Sequence, residues 1–153
     1  MKMTRVDFYH LQKAPLEQVL PLLCEKAYNT GKRIKILLST DERVEFINSL
    51  LWTYNEESFL PHGSKKDGFT DEQPIFISTS EENENGAKIL ILADGAQIDV
   101  AKLSDYERVL NIFDGNNETA LNEARAYWKE IKSLEGELHY WQQKDNGSFE
   151  QKA

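Results

Sequence analysis

Apolar and polar positions along this chain switch repeatedly between a period of two and a period near three and a half. Val6, Phe8 and His10 alternate on one side of a segment ending at Leu11, which predicts a first strand. Leu16, Val19, Leu20, Leu23, Cys24 and Ala27 then recur at helical spacing, with Pro15 entering the helix and Gly31 stopping it. Pro21 falls inside that helix, where it removes a hydrogen bond and should bend the axis. Residues 33–39 read as a second strand, and Ser39-Thr40-Asp41-Glu42 has the form of a capping box. The helix it opens carries Val44, Ile47, Leu50, Leu51 and Tyr54 and leads into a short strand over residues 58–62. Polar residues 63–73 read as a loop. Residues 74–78 and 88–93 are two further strands, and the acidic run 81–86 between them is too short for a parallel crossover. Those strands therefore form a hairpin or are not neighbours, and the acidic run reads as a solvated loop. Residues 107–114 make another strand, after which Asn116 or Asn117 caps a last helix running to about Leu134, with Gly136 as its stop.

Strands alternating with helices predict an α/β fold with a largely parallel sheet flanked by helices. At 153 residues, 40% of them hydrophobic, the chain has room for one core and one domain. That domain is expected to span residues 1–141, leaving 142–153 as a polar, frayed tail. No apolar run is long enough to span a membrane. Asp7 and His10 interrupt any leader-like stretch, so a cytoplasmic protein is expected. The single cysteine, Cys24, sits on an apolar helix face and reads as core filling. A net charge of −8 argues against direct nucleic-acid binding, because phosphate contacts need a basic surface.

The chemistry-bearing residues do not assemble into a reaction centre. No glycine-rich phosphate loop follows a strand, and His10, His62 and His139 have no metal-ligand spacing, so neither cofactor nor metal is expected. Asp94, Asp99 and Asp114 lie near strand ends, where open α/β sheets place their sites. Asp94-Gly95 and Asp114-Gly115 are also ordinary turn pairs. Two stretches stand out instead. Residues 50–63 load Trp52, Tyr54, Phe59, Leu60, Pro61 and His62 into a helix end and connector. Those rings either fold back into the core or form a docking surface. On the last helix, 100° steps place Arg125, Lys129 and Lys132 in one basic row, beside Leu121 and Trp128. The row borders an apolar face of Ala120, Ala124, Tyr127, Ile131 and Leu134. It is either a solvated helix edge or a pocket for an acidic peptide with an apolar end, its carboxylate clamped by arginine.

Trp-x4-Glu-Ser-Phe-x-Pro-His, here Trp52 to His62, resembles the signature of the chi subunit of bacterial DNA polymerase III. Asp7-Phe8-Tyr9, the Gly31-Lys32-Arg33 entry to the second strand, and Ala124-Arg125-x-x-Trp128-Lys129 are similar to the same family, in the same order. The resemblance implies a single three-layer, Rossmann-like domain and a non-catalytic accessory subunit in the clamp-loader assembly. Such a subunit bridges the psi subunit of the clamp loader and the acidic, Phe-ended C-terminal tail of single-stranded-DNA-binding protein. By position, tail binding falls on Arg125, Trp128 and Lys129. Trp128 stands where the family often has Tyr, and Leu121 where it has a further basic residue that Lys132 replaces. Docking of psi, or of a repair helicase on the same surface, falls on Trp52, Phe59, Pro61 and His62. A fainter resemblance, to the second motor domain of helicases, implies a nucleotide-binding or ATP-inactive relative instead.

Overall fold

The computed structural model describes residues 4–53, 61–64, 68, 72–134 and 137–153. In chain order these form β1 (Arg5–Leu11), α1 (Leu16–Tyr28), β2 (Ile34–Leu37), α2 (Asp41–Thr53), β3 (Gly63–Ser64) and β4 (Ile75–Ser78). There follow β5 (Ile89–Leu92), a 3-10 helix (Val100–Asp105), β6 (Arg108–Asp114), α3 (Glu118–Lys132), β7 (Glu137–Gln143) and β8 (Phe149–Gln151). All eight strands join one sheet in the order β3-β4-β2-β5-β6-β1-β7-β8. Every pairing is parallel except the β7–β8 hairpin.

The central strands are mostly apolar on both faces, as a sheet covered by helices on both sides requires, with Asp7, Lys35 and Asn111 as buried exceptions. Ile34, Ile36, Ile89 and Ile91 pack under α1 and α2, while Leu37, Leu90 and Leu92 pack on the other side with Ala124, Tyr127 and Ile131 of α3. This is a three-layer α/β domain. The short acidic connection posed a choice that the sheet resolves: β4 and β5 are not neighbours, since β2 lies between them.

Asp7 explains why β1 holds the domain together. It is fully buried at 0% exposure, and it accepts from Arg5 Nε (3.1 Å), Arg108 Nε (3.0 Å) and Trp141 Nε1 (3.0 Å). One carboxylate thus ties β1 to both flanking strands, β6 and β7. Tyr9 and Phe149 meet edge to face 5.2 Å apart on the same side of the sheet.

Several local expectations need correction. Helix α1 holds Pro21 inside it, as expected, but its cap is Asn29 rather than Gly31. Helix α2 is capped by Thr40, whose hydroxyl accepts from Arg43 N at 3.2 Å, one residue later than the capping-box reading. The short strand is Gly63–Ser64; Pro61 and His62 precede it in irregular backbone, and residues 58–60 lie outside the described residues. The acidic run is not merely solvated. Glu84 pairs with the ammonium of Lys35, which is buried in β2 and also donates to Glu82 O at 3.1 Å. A buried ammonium would be prohibitive unpaired, so this connector neutralises the sheet from above. Leu134, placed on the apolar face, lies beyond the end of α3 and is 59% exposed.

The polar tail is ordered. Gln142 pairs with Glu150 across the β7–β8 hairpin, and Gly147, at φ +88°, makes the turn. Buried Gln143 uses its Oε1 to accept from three consecutive backbone amides, Gln12 (3.1 Å), Lys13 (2.8 Å) and Ala14 (3.0 Å). Polar composition predicted fraying here, but a side-chain amide that satisfies three loop N–H groups makes the segment part of the domain.

Candidate protein-docking surfaces

The first surface is built on the end of α2. Its apolar stripe, Val44, Ile47 and Leu51, faces the core, and that register turns Trp52 outward at 48% exposure. The indole lies 4.1 Å from the ring of His62, tilted by 36°. His62 is itself buried, its Nε2 bonded to Asn48 O at 2.7 Å. It therefore supports the indole from beneath, while half-buried Pro61 precedes it. Of the residues the sequence singled out here, Trp52 and His62 come together and Pro61 adjoins His62 in the chain, while Tyr54, Phe59 and Leu60 lie outside the described residues.

This geometry carries a stability prediction. Truncating a buried aromatic costs about 3–5 kcal/mol. Trp52 is only half covered, so Trp52→Ala should lower the unfolding free energy by about 1 kcal/mol, read from denaturant midpoints. A loss as large as that for a core ring would place the indole in the core and remove the docking interpretation.

The second surface lies along α3. Asn117 caps the helix, its side chain accepting from Ala120 N at 3.0 Å. Burial of Ala124, Tyr127 and Ile131 then fixes the rotation of the helix. Arg125, Lys129 and Lys132 fall on the exposed side, and among the described residues none of the three meets a carboxylate. Leu121 and Trp128 are half-buried at the rim. The Trp128 indole is held edge-on between Phe8 (5.3 Å, 74°) and Tyr140 (5.7 Å, 79°), so it is a rigid wall beside the cations.

Two residues behind that wall were not singled out as part of the site. His10 Nδ1 and the Tyr140 hydroxyl lie 2.5 Å apart, and both feel the charge of Arg125. Burial, and then Arg125, hold the His10 imidazole below its ordinary value, so it stays neutral near pH 7. Burial pushes the Tyr140 phenol up, with Arg125 opposing. Gly115 closes against the same ring: a Cβ there would come within 1.8 Å of His10 Nε2. The Asp114-Gly115 pair thus needs glycine for space rather than for turn geometry alone. The signal for Tyr140 was present in the aromatic and apolar run Leu138, Tyr140 and Trp141, which has strand propensity.

Comparison with known proteins bears on both surfaces. The model of the family described as DNA polymerase III chi subunit, HolC, matches residues 3–139. A probable DNA polymerase III subunit chi from Rickettsia prowazekii (strain Madrid E) is 31% identical over 111 residues. That alignment covers 72% of this chain and 66% of the relative's own length.

Proposed function

Because this chain belongs to the DNA polymerase III chi subunit family, we propose that it is a non-catalytic accessory subunit of the DNA polymerase III holoenzyme, acting in DNA replication. In this role it bridges the psi subunit of the clamp loader and the acidic C-terminal tail of single-stranded-DNA-binding protein. The observation that carries the reading is the α3 row: three exposed cations without carboxylate partners among the described residues, beside an indole locked by Phe8 and Tyr140. On a protein of net charge −8, such a row selects an anionic partner against the general field. Arg125 clamps the terminal carboxylate, Lys129 and Lys132 attract the acidic residues, and Trp128 with Leu121 receives the terminal ring.

The Trp52 surface takes psi, or a repair helicase, through an exposed indole backed by His62. Contact with the DNA itself is left to those partners. No helix among the described residues is long and apolar enough to cross a membrane.

The experiment is a titration of a fluorescent acidic peptide ending in Phe into the protein, paired with thermal melting in ATP and magnesium. Saturable peptide binding with an unmoved melting temperature in nucleotide is the expected result. A ligand at 100 times its Kd stabilises a native state by about 2.7 kcal/mol, so nucleotide binding would be visible. A nucleotide shift without peptide binding would favour the helicase-like reading instead.

A further inference from the structure

The C-terminal ends of β1, β5 and β6 open into a cavity of about 730 Å³. Its walls are the β1–α1 loop, the turn after β5, the end of β6 and the first turns of α3. That is the place where open α/β sheets hold ligands, and the volume falls in the small-molecule range. Neither proposed docking surface uses it: Trp52 and the Arg125 row are absent from its lining.

Its charge is lopsided. Glu17, Asp94, Asp114 and Glu123 line it, against Lys13 alone among the cations. Glu17 and Asp94 are neutralised together by Arg43, each at 2.7 Å. Lys13 has its own partner in Asp145, 3.7 Å away. Asp114 and Glu123 meet no cation among the described residues. Asp114 Oδ1 only receives the Asn116 backbone amide, at 2.9 Å.

Asn111 is the independent observation. It lines the cavity at 6% exposure, and its side-chain amide makes no hydrogen bond among the described residues. In register it stands between Leu92 of β5 and Phe8 of β1, both fully buried. Its amide atoms are not sealed from solvent as Asn48 Oδ1 and Asn85 Oδ1 are, so the side chain reaches the open space of the cavity. A side-chain amide nine-tenths covered and without a protein partner thus offers its hydrogen bonds to whatever occupies the crevice.

We propose that this crevice binds a small organic cation, an alkylammonium or guanidinium group. Asp114 and Glu123 neutralise it, and the Asn111 carbonyl oxygen accepts one of its N–H donors. Phosphate-bearing ligands are turned away by the same carboxylates, which separates this site from a nucleotide pocket. The assignment is independent of the bridging role proposed above.

The test is an NMR titration of the full chain with putrescine, with the tripeptide Gly-Arg-Gly, and with inorganic phosphate. Putrescine or the tripeptide should give saturable one-to-one shifts centred on the amides of Ala96, Asn111 and Gly115, and phosphate should not. Asn111→Leu should weaken binding about tenfold, the worth of one hydrogen bond to a charged group, while leaving the melting temperature unchanged or higher. Should that variant fail to fold, Asp114→Asn with Glu123→Gln, both at exposed positions, should produce at least the same loss. Binding of putrescine alone makes the ligand a free diamine, and binding of the tripeptide alone makes it a basic side chain of a peptide. Binding of neither, equal binding by the variants, or shifts spread over surface carboxylates such as Glu118 and Glu150 would overturn the assignment.

Discussion

Replacing Asp7 with alanine should cost about 3 kcal/mol of unfolding free energy, the largest stability loss expected from a single polar side chain here. The carboxylate is wholly buried, and its removal leaves the Trp141 N–H without its acceptor and Arg5 and Arg108 side by side. Arg5→Ala or Arg108→Ala should cost far less, about 1 kcal/mol, because each guanidinium is more than a third exposed and can turn to water. Acid titration gives an independent check. Burial pushes the Asp7 carboxyl up, but hydrogen bonds from Arg5 and Trp141 and the charge of Arg108 outweigh it, so the group sits below its ordinary value of 3.8. The unfolded chain therefore binds the proton first. Stability from Asp7 is complete above the ordinary carboxylate range and is lost as pH falls through the lower folded value. In Asp7→Ala this acid-dependent loss should shrink; denaturant midpoints at neutral and acidic pH measure it. Unchanged midpoints in the variant would mean the three-way junction contributes nothing net.

Arg125→Ala should weaken binding of the acidic, Phe-ended peptide by at least about 2 kcal/mol, roughly thirtyfold, while leaving the fold intact. The side chain is exposed in the free protein, so its loss opens no cavity. Its worth appears only when a peptide covers the pair and removes water from it. Arg125→Lys should recover only part of the affinity, because a lysine keeps the charge but not the two-pronged fork. Amidating the peptide's C-terminus should hurt wild type strongly and Arg125→Ala hardly at all, which ties the effect to the carboxylate. Equal peptide affinities for wild type and Arg125→Ala would reduce the row to a solvated helix edge.

Much of the fold was legible because period and punctuation agreed. The stripe from Leu16 to Ala27, the Ile34-Lys35-Ile36-Leu37 strand and the doubly apolar run at residues 89–92 admit few alternatives, and the order of elements implied a parallel sheet. The tail was not legible. Its composition is polar, and the reason it is ordered lies a hundred and thirty residues away, where Gln143 meets the amides of residues 12–14. Long-range satisfaction of backbone groups leaves no local trace. The same holds for the acidic run near residue 84, whose partner Lys35 is buried in a distant strand. At the candidate sites, helical geometry placed Arg125, Lys129 and Lys132 in one exposed row and Leu121 and Trp128 at its rim. It could not show that Tyr140 braces the indole or that His62 lies beneath Trp52, since both depend on contacts across elements. The motif Asp7-Phe8-Tyr9 acquires a physical reason only in three dimensions: Asp7 joins three strands, while Phe8 supports Trp128.

Gln143 holds the loop at the mouth of the crevice with a neutral amide, and that choice of group determines how the site responds to ionic strength. Its three bonds involve no net charge, so added salt leaves them nearly unchanged, whereas exposed pairs such as Lys13–Asp145 are screened within about 10 Å at 0.1 M. The shape of the loop is thus uncoupled from the electrostatics of whatever it borders. Raising the salt concentration should release charged partners from the domain while residues 12–14 keep their protection against amide hydrogen exchange.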